Sequence, residues 1–460
     1  MKKNSEKWII QINSMTRTLV YDAVNKVEEQ VTLMGYVDKL RDHGKITFID
    51  LRDRTGIIQC VGENLPKVSL QSAIEIVGKV NKRPESMVNK SIDTGHIEVW
   101  IEKIQVLSPA AELPFDMGSE QLNLQLPTLL DYRTLTLRHE KVAKIFKVQE
   151  SLMEGFRIAS QKIGCVEIFT PTISASSTEG GSNVFKFKYY GHDAFLVQSP
   201  QLYKQMLIPS FERVYLVSRA YRAEPSVTTR HLSESIQMDC EIGFADFNEL
   251  LYAMEFVVRE TILYAASKCA EILKEYKTDE LKITEAIPRL TLREAQKIIK
   301  DRTGLDHTAE PDLMPGDEKE IWNWARSEKN SDLVTITHFP TIKRAFYTMP
   351  DPKDPKFSLS YDLIFRGVEL LSGSQRINDY SALLGAIKAR GMNPSDFEMY
   401  LQAFKYGMPP EGGFSFGLER ATWLLLGLGN IREASLFPRD MERVDFRFPA
   451  KKKKSPPKGH

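Results

Sequence analysis

The stretch GGFSFGLER at 412–420 contains more glycine and charge than a strand-to-helix junction in a core requires, and it runs directly into an apolar segment typical of a helix. Two other segments are similarly rich in arginine, carboxylate and glycine. They are YRAE at 221–224, followed by TRH at 229–231 with Asp239 and Glu241, and YD at 361–362 with ELLSGSQR at 369–376. We interpret the three segments as parts of one binding site. Neither common glycine-rich nucleotide loop, G-x-x-x-x-G-K-[ST] or G-x-G-x-x-G, is present.

Composition excludes several classes of protein. The 460 residues include 62 basic and 61 acidic side chains, a net charge of +1, so any nucleic-acid surface must be a local patch. The four cysteines are far apart, which predicts neither zinc nor disulfides and fits a reducing compartment. Because no run approaches ~18 apolar residues, we expect no membrane span and a cytoplasmic protein.

The first hundred residues are rich in short strands. Residues 1–20 read as an N-terminal extension, and alternating apolar runs follow at 31–37, 46–52, 57–61, 73–80 and 97–107. Five such strands predict a small closed barrel spanning 21–108, and the oligonucleotide-binding (OB) barrel is a common nucleic-acid-binding form. Any other small β-domain is the alternative at this point.

A larger domain follows a proline-containing stretch at 109–135, which we interpret as a hinge. Helical periodicity occurs at 138–162 and at about 247–275, 291–303, 316–329 and 379–390, with strands at 213–219 and 235–244. This pattern predicts an α+β domain at 136–448, with an antiparallel sheet flanked by helices. The lysine-rich residues 449–460 predict a disordered basic tail.

Three motifs resemble those of class II aminoacyl-tRNA synthetases. YRAE at 221–224 is similar to motif 2, GLER at 417–420 to motif 3, and VEIFTP at 166–171 to motif 1. They occur in the family's order across roughly 136–445. The resemblance implies a class II catalytic domain with ATP as a substrate, and a homodimer whose interface contains the motif 1 proline, Pro171.

The resemblance also implies roles at the nucleotide. Arg222 and Arg420 would be the catalytic arginines, and planar guanidinium groups suit phosphate oxygens. The full ATP-binding set would be Arg222, Glu224, Arg230, His231, Glu369, Gly417 and Arg420. Asp362, Glu369 and Ser372 flank a possible turn at Arg366-Gly367 and form an oxygen-only donor set for Mg²⁺. Taken singly, each of these residues could instead belong to a surface ion pair.

The segment QSPQLYKQ at 198–205 resembles aspartate-specific members of the archaeal and eukaryotic type, in which the lysine and the arginine of S-G-x-Q-R meet the substrate carboxylate. Here these residues are Lys204 and Arg376, and cationic donors suit aspartate better than asparagine. Absence of a large insertion between about 250 and 340 fits the same type. The implied amino-acid-binding set is Glu179, Gln201, Lys204, Asp239, Ser372 and Arg376.

In the barrel, Arg41, Phe48 and Gln59 match family residues that read the tRNA anticodon. An aromatic side chain on a strand can stack on a base, while arginine and glutamine contact base edges or phosphate. The structural alternatives are a core phenylalanine and ordinary surface polar residues.

One position departs from the family pattern: Ser235 stands where a phenylalanine usually stacks on adenine. We expect weaker ATP binding by about tenfold from the lost ring contact. The expected function is aspartylation of tRNA through an aspartyl-adenylate. The alternatives are an asparagine enzyme, a ligase that charges both tRNA(Asp) and tRNA(Asn), a tRNA-independent amidating or adenylating enzyme, and a non-catalytic RNA-binding paralogue.

Overall fold

The computed structural model describes residues 17–119, 121–175, 183–225 and 228–449. Two compact units divide the chain between Asn123 and Leu124. No helix in these ranges is long and apolar enough to cross a membrane.

The first unit is a closed five-stranded barrel, as predicted. Its strands are β1 (Gln30–His43), β2 (Ile46–Asp53), β3 (Gly56–Glu63), β4 (Ala73–Lys82) and β5 (Ile97–Ser108). Around the barrel they pair in the order β1-β2-β3-β5-β4. Alternate side chains point inward because successive residues of a strand face opposite sides. The fully buried inward residues include Leu33, Ile49, Leu51, Ile58, Ile74 and Ile76.

The second unit combines helices with a large sheet. Its helices are α1 (Leu126–Asp131), α2 (Arg133–Thr136), α3 (Glu140–Lys162), α4 (Gln201–Met206), α5 (Ile208–Phe211), α6 (Phe247–Lys268), α7 (Ala270–Glu275), α8 (Leu292–Thr303), α9 (Pro315–Glu328), α10 (Tyr380–Ala389), α11 (Glu398–Lys405) and α12 (Leu418–Leu426). Its strands are β6 (Val166–Glu167), β7 (Ile173–Ser174), β8 (Lys186–Tyr189), β9 (His192–Leu196), β10 (Arg213–Tyr221), β11 (Glu234–Gly243), β12 (Arg289–Thr291), β13 (Leu333–Thr337), β14 (Ser360–Phe365), β15 (Val368–Gln375) and β16 (Glu411–Gly417).

Eight strands form the main sheet, in the order β12-β13-β14-β15-β16-β11-β10-β6. The predicted antiparallel arrangement is confirmed for the six central strands, while the two edge pairs, β12–β13 and β6–β10, are parallel. Apolar residues of α3, α6 and α12 pack with the sheet in one core that includes Phe156, Val257 and Leu425. A small separate sheet has the order β7-β9-β8.

Two segments differ from the sequence expectation. The long helix expected at about 247–275 is interrupted at Cys269, whose backbone angles (φ −114°, ψ 27°) are not helical, so α6 and α7 are distinct. The stretch interpreted as a hinge contains α1 and the beginning of α2. Pro127 occupies the first turn of α1, where its missing N–H has no intrahelical partner to lose.

Candidate functional site

A row of polar residues crosses four central strands of the main sheet. Asp239 on β11 lies opposite Ser415 on β16, Ser415 lies opposite Ser372 on β15, and Ser372 lies opposite Asp362 on β14. Their strand neighbours point the other way, into the helix-covered core, where Met238, Cys240, Tyr361, Leu363, Leu371, Phe414 and Phe416 are buried. The sheet therefore separates an apolar core from a polar surface on its opposite face.

This polar surface opens into a cavity of about 330 Å³. All three arginine-containing segments contribute to its wall, although they lie far apart in sequence. Eleven of the residues expected to bind ATP, amino acid or metal line the cavity: Gln201, Arg222, Glu224, Arg230, His231, Asp239, Glu369, Ser372, Arg376, Gly417 and Arg420. Lys204 and Asp362 are buried behind the wall and bonded to lining residues. Glu179 lies outside the described residues.

One end of the cavity is backed by a fully buried ionic cluster. Lys204 Nζ lies 3.0 Å from Asp239 Oδ1 and 3.0 Å from Glu241 Oε2, and Arg376 Nε lies 2.8 Å from Glu241 Oε1. Gln201 donates to Glu241 Oε1 at 3.2 Å. Burial disfavours the ionised forms, yet Arg376 and Lys204 hold the pKa of Glu241 at about 2, and Glu241 and Asp239 raise the pKa of Lys204. The two cations therefore favour the ionised form of Glu241, whereas at Asp239 burial outweighs the attraction of Lys204 and raises the pKa of the carboxyl group.

Asp239 and Gly413 show how tightly this cluster is built. A Cβ atom at position 413 would stand 2.2 Å from Glu241 Oε2, so only glycine leaves room for that carboxylate. Asp239 Oδ2 is buried and has no hydrogen-bond partner among the described residues. A buried acceptor without a donor is costly, and an ammonium group in the cavity would satisfy it.

The other end of the cavity contains the arginine and histidine side chains that we expect to bind the phosphates of a nucleotide. Arg222 follows β10 directly, is exposed, and has no side-chain partner among the described residues. Arg420, in the first turn of α12, donates to the carbonyl of Glu369 at 2.7 Å. Arg230 pairs with Glu318 of α9 at 2.9 Å, and His231 Nε2 lies 3.5 Å from Glu224 Oε2. These groups all line the cavity and are at least partly exposed.

The three residues predicted to hold a metal share one face of the β14–β15 hairpin. The predicted turn is confirmed: Arg366 and Gly367 have φ values of 49° and 78°. Glu369 and Ser372 are three residues apart, so a regular strand would place them on opposite faces. A register shift leaves Glu369 opposite Ile364, on the face that carries Asp362. The resulting bulge brings both carboxylates to the polar side.

Arg344 binds two of these three residues, Asp362 and Ser372. Its guanidinium binds both oxygens of Asp362, at 3.0 and 2.6 Å, and donates to Ser372 Oγ at 3.2 Å. Burial raises the pKa of Glu369 to about 7, and the negative charge of Asp362 adds to this effect. Within the described ranges, no three His, Cys, Asp or Glu side chains form a ready metal-binding group.

Ser235 also lines the cavity, beside the nucleotide end. Its hydroxyl accepts from Gln237 Nε2 at 3.1 Å, and Gln237 Oε1 accepts from Ser415 Oγ at 3.2 Å. The position is therefore polar and hydrogen-bonded where the family pattern has an aromatic ring.

The barrel brings its three predicted residues together on its outward-facing side, where Arg41 is exposed, Phe48 is half-buried and Gln59 is buried. Arg41 and Phe48 are direct cross-strand partners, and Arg41 Nη2 binds Asp50 Oδ1 at 2.9 Å and Gln59 Oε1 at 3.3 Å. Phe48 pairs with Val61, and Val61 pairs with Trp100, whose indole is 48% exposed. Trp100 is a further candidate for stacking on a base. Alternation along β5 could have placed it outside the barrel, but only the pairing places it in this row.

Arg344 and Glu241 are the main groups without a predicted role. Arg344 precedes its partner Asp362 by 18 residues, a separation that no local periodicity connects. Glu241 is two residues beyond Asp239 on β11, and a period of two indicates that they share a face. The alternation along β11 could therefore have identified Glu241 from the sequence, whereas no sequence pattern indicated Arg344.

Comparison with known proteins agrees with this geometry. Residues 125–441 match the family described as tRNA synthetases class II (D, K and N), and residues 31–107 match the OB-fold nucleic acid binding domain. The aspartate--tRNA(Asp/Asn) ligase of Thermus thermophilus is 40% identical, with 93% of this chain and 99% of the relative covered. The aspartate--tRNA(Asp) ligase of Thermoplasma volcanium is 37% identical, with 90% and 96% covered.

Solved structures agree with these matches. The asparaginyl-tRNA synthetase of Pyrococcus horikoshii complexed with asparaginyl-adenylate has a TM-score of 0.85 at 30% identity, covering 94% of this chain and 99% of that one. The barrel, the mixed sheet and the family motifs thus agree with the matches over nearly the whole sequence, and the chain belongs to the class II aminoacyl-tRNA synthetases, in the group that includes the aspartate and asparagine enzymes.

Proposed function

We propose that this protein ligates aspartate to tRNA in two steps. The aspartate α-carboxylate attacks the α-phosphorus of ATP and releases pyrophosphate, and a 3′-terminal ribose hydroxyl of tRNA then displaces AMP from the adenylate. The observation that carries the proposal is that Arg222 and Arg420, about 200 residues apart, line the same cavity as Arg376 and Gln201. Their positions support a nucleotide and an amino acid bound side by side.

Arg222 and Arg420 have the properties required at the reacting phosphate. Displacement at phosphorus depends mostly on positioning and on stabilising charge on phosphate oxygens. In our proposal Arg222 neutralises the α-phosphate, and Arg420 lies against the adenine and the terminal phosphate. Glu224, Arg230, His231, Glu369 and Gly417 complete the ATP site. In the transfer step, a phosphate oxygen of the adenylate takes up the proton of the attacking ribose hydroxyl, so no protein base is required.

The two cations of the buried cluster, Arg376 and Lys204, support aspartate as the amino acid. Arg376 is 5% exposed and lines the cavity, and Lys204 stands behind it through Asp239 and Glu241. An anionic side chain gains from the nearby cations, whereas an amide would require an acceptor for its NH₂. Asp239 Oδ2 and Gln201 are suited to the ammonium group and the carboxylate of the backbone end, and Glu179 completes the proposed amino-acid site.

Asp362, Glu369 and Ser372 fit magnesium in their chemistry. All three donors are oxygens, and the two carboxylates are close enough for Asp362 to raise the pKa of Glu369. Because Arg344 already binds both oxygens of Asp362, Glu369 and Ser372 are the more available donors. When bound, the ion would neutralise charge on the ATP phosphates.

The barrel supports tRNA as the partner. Phe48 and Trp100 offer stacking surfaces, and Arg41 and Gln59 offer donors for bases and phosphate. We further propose a homodimer through motif 1. The edge strand β6 and the segment after it leave apolar side chains exposed, with Phe169 at 87% and Val166 at 46%. The proposed location is the cytoplasm.

ATP–pyrophosphate exchange with aspartate or asparagine tests the first step, and charging of tRNA(Asp) and tRNA(Asn) transcripts tests the second. We expect exchange with aspartate alone. Exchange with asparagine alone would contradict the proposal, and ATP-independent tRNA binding without exchange would indicate a non-catalytic paralogue. Charging of both tRNAs is the second candidate, supported by relatives named aspartate--tRNA(Asp/Asn) ligase.

A further inference from the structure

Glu411, the first residue of β16, is a fully buried carboxyl group without a role in the proposed chemistry. Its Oε1 accepts a hydrogen bond from Gln205 Nε2 at 2.7 Å. Its Oε2 is buried and has no hydrogen-bond partner among the described residues. A buried oxygen without a hydrogen-bond donor costs free energy, so the lack of a partner for Oε2 needs an explanation.

Glu411 lies next to Glu241 in the sheet. Gly243 pairs with Glu411 and Glu241 pairs with Gly413, so both carboxyl groups stand on the same face of neighbouring strands. The two side chains are within hydrogen-bonding contact of each other. Two ionised carboxylates repel each other at this distance, whereas one shared proton turns the contact into a hydrogen bond.

The partners of the two groups show which one holds the proton. Glu241 already accepts hydrogen bonds from Arg376 and Gln201 and pairs with Lys204, all of which favour the ionised form. Glu411 accepts only from the neutral Gln205. Burial raises the pKa of Glu411 well above its ordinary value, and the charge of Glu241 adds to this effect.

The orientation of Gln205 identifies the protonated oxygen. Tyr400 Oη donates to Gln205 Oε1 at 3.1 Å, which directs the amide NH₂ at Glu411 Oε1. Oε1 is therefore an acceptor, and Oε2 is left to carry the proton. A proton there satisfies the orphaned atom by donation to Glu241.

The charge balance of the cluster agrees with this assignment. With Glu411 ionised, three buried carboxylates would face two cations. With Glu411 neutral, the charges of Asp239 and Glu241 match those of Lys204 and Arg376, as burial requires. The charged and titratable groups facing Glu411 are Glu241 from β11, Arg376 after β15 and Tyr400 from α11, with Tyr347 beside Tyr400 and Arg376; Lys204 and Asp239 lie beyond Glu241.

We propose that Glu411 is a positioning residue for amino-acid selection, which as a neutral acid donates to Glu241 and holds the Glu241–Arg376 pair in place. This inference rests on the proposed function and deepens it. An ionised Glu411 would add a negative charge behind Arg376 and oppose binding of an anionic side chain. The proton on Glu411 therefore keeps the cationic character of the pocket available to aspartate.

Glu411→Gln and Glu411→Leu distinguish this role from packing alone. Glutamine reproduces both hydrogen bonds of the neutral acid, since its amide NH₂ can donate to Glu241 and its oxygen can accept from Gln205. In exchange assays at neutral pH we expect a KM for aspartate within about twofold of wild type for Glu411→Gln and at least about tenfold higher for Glu411→Leu. The KM for ATP should change little in either variant.

Tyr400→Phe is the control for loss of a buried polar group in the same network, because the Tyr400 hydroxyl bonds to Gln205 and to neither carboxyl group. Equal KM increases for aspartate in Glu411→Gln and Glu411→Leu would overturn the proposal, as would a wild-type KM in Glu411→Leu. A proportionate change in both the aspartate and the ATP constants would instead indicate a general packing defect, and would also overturn it.

Infrared difference spectroscopy tests the proton without relying on activity or on the leucine variant. The spectrum of wild type minus Glu411→Gln should contain the carbonyl stretch of a protonated carboxylic acid at neutral pH. A carboxylate band in its place would contradict the inference. Absence of amino-acid-dependent exchange in wild type would refute the proposed function, while the infrared band would still decide the protonation state of Glu411.

Discussion

The two ends of the cavity are built on different principles. At the amino-acid end, Lys204, Asp239, Glu241 and Arg376 are 0–5% exposed, and each is bonded to another member of the group. At the nucleotide end, Arg222 is exposed. Arg230, His231 and Arg420 are partly exposed, and the side chain of each contacts only one or two other residues.

In the proposed function, this difference separates amino-acid selection from catalysis. A buried charge is tolerable only when it is paired and hydrogen-bonded, so the amino-acid end must be complete before the substrate arrives. Such a preorganised group can reject a ligand of the wrong charge. The exposed arginines bear little desolvation cost in the free protein, and in the proposed function they are fully engaged only when phosphate binds.

The largest expected effect comes from removing the central cation of the buried end. Arg376→Ala would leave Glu241 without its closest partner and remove the proposed contact with the substrate carboxylate. We expect a loss of at least about 10²-fold in kcat/KM for aspartate, together with a lower melting temperature. Pyrophosphate exchange and thermal unfolding measure the two effects. Wild-type exchange in this variant would show that the cluster does not select the amino acid.

Arg222→Ala probes the exposed end, where we expect catalysis to fail without a loss of stability. Loss of one preorganised donor to the reacting phosphate should lower kcat by about 10²–10³-fold. Because Arg222 is exposed, the melting temperature should stay within the error of wild type. Arg219→Ala is the matched control: it removes an exposed arginine near the end of β10, three residues before Arg222, that is paired with Glu234 and does not line the cavity. Equal losses in the two variants would contradict the assignment.

Ser235→Phe tests whether the nucleotide end has lost an aromatic contact. A ring at this position should stack on adenine and lower the KM for ATP by about 2- to 10-fold, since such contacts contribute ~0.5–1.5 kcal/mol. Ser235→Leu is the control for added apolar bulk without the ring. An unchanged or higher KM in the phenylalanine variant would show that the hydrogen-bonded serine suits the nucleotide better.

The smallest expected effect is a pH-dependent change in stability at Glu419, in the first turn of α12. Burial raises the pKa of its carboxyl group from 4.5 to about 7. Its contribution to stability is therefore fully present below about pH 4.5 and is lost as the pH rises towards 7.

Glu419→Gln removes this titration. The melting temperature of the variant minus that of wild type should rise by a few degrees across the same pH interval. Differential scanning calorimetry at several pH values measures this difference. A constant difference would mean that the carboxyl group is not titrating in the folded state.

Local sequence patterns predicted the elements well where burial follows a simple period. The five barrel strands and the helix at 138–162 are examples, because alternate or helically spaced apolar residues point to one side. The pattern failed at Cys269, where the apolar periodicity continues through a backbone break, and at 126–135, where prolines obscured short helices. The family resemblance, and not periodicity, predicted that Arg222 and Arg420 would line the same cavity.

The sequence by itself determined the family, the barrel and eleven of the residues that line the cavity, because these depend on motifs and on local alternation. Tertiary structure alone decided the partner of each charge. Arg344 meets Asp362, Glu411 meets Glu241, and a bulge turns Glu369 towards Asp362. The physical reason is that ion pairing and proton affinity depend on distance and burial, and both are set by strand register between segments that are remote in sequence.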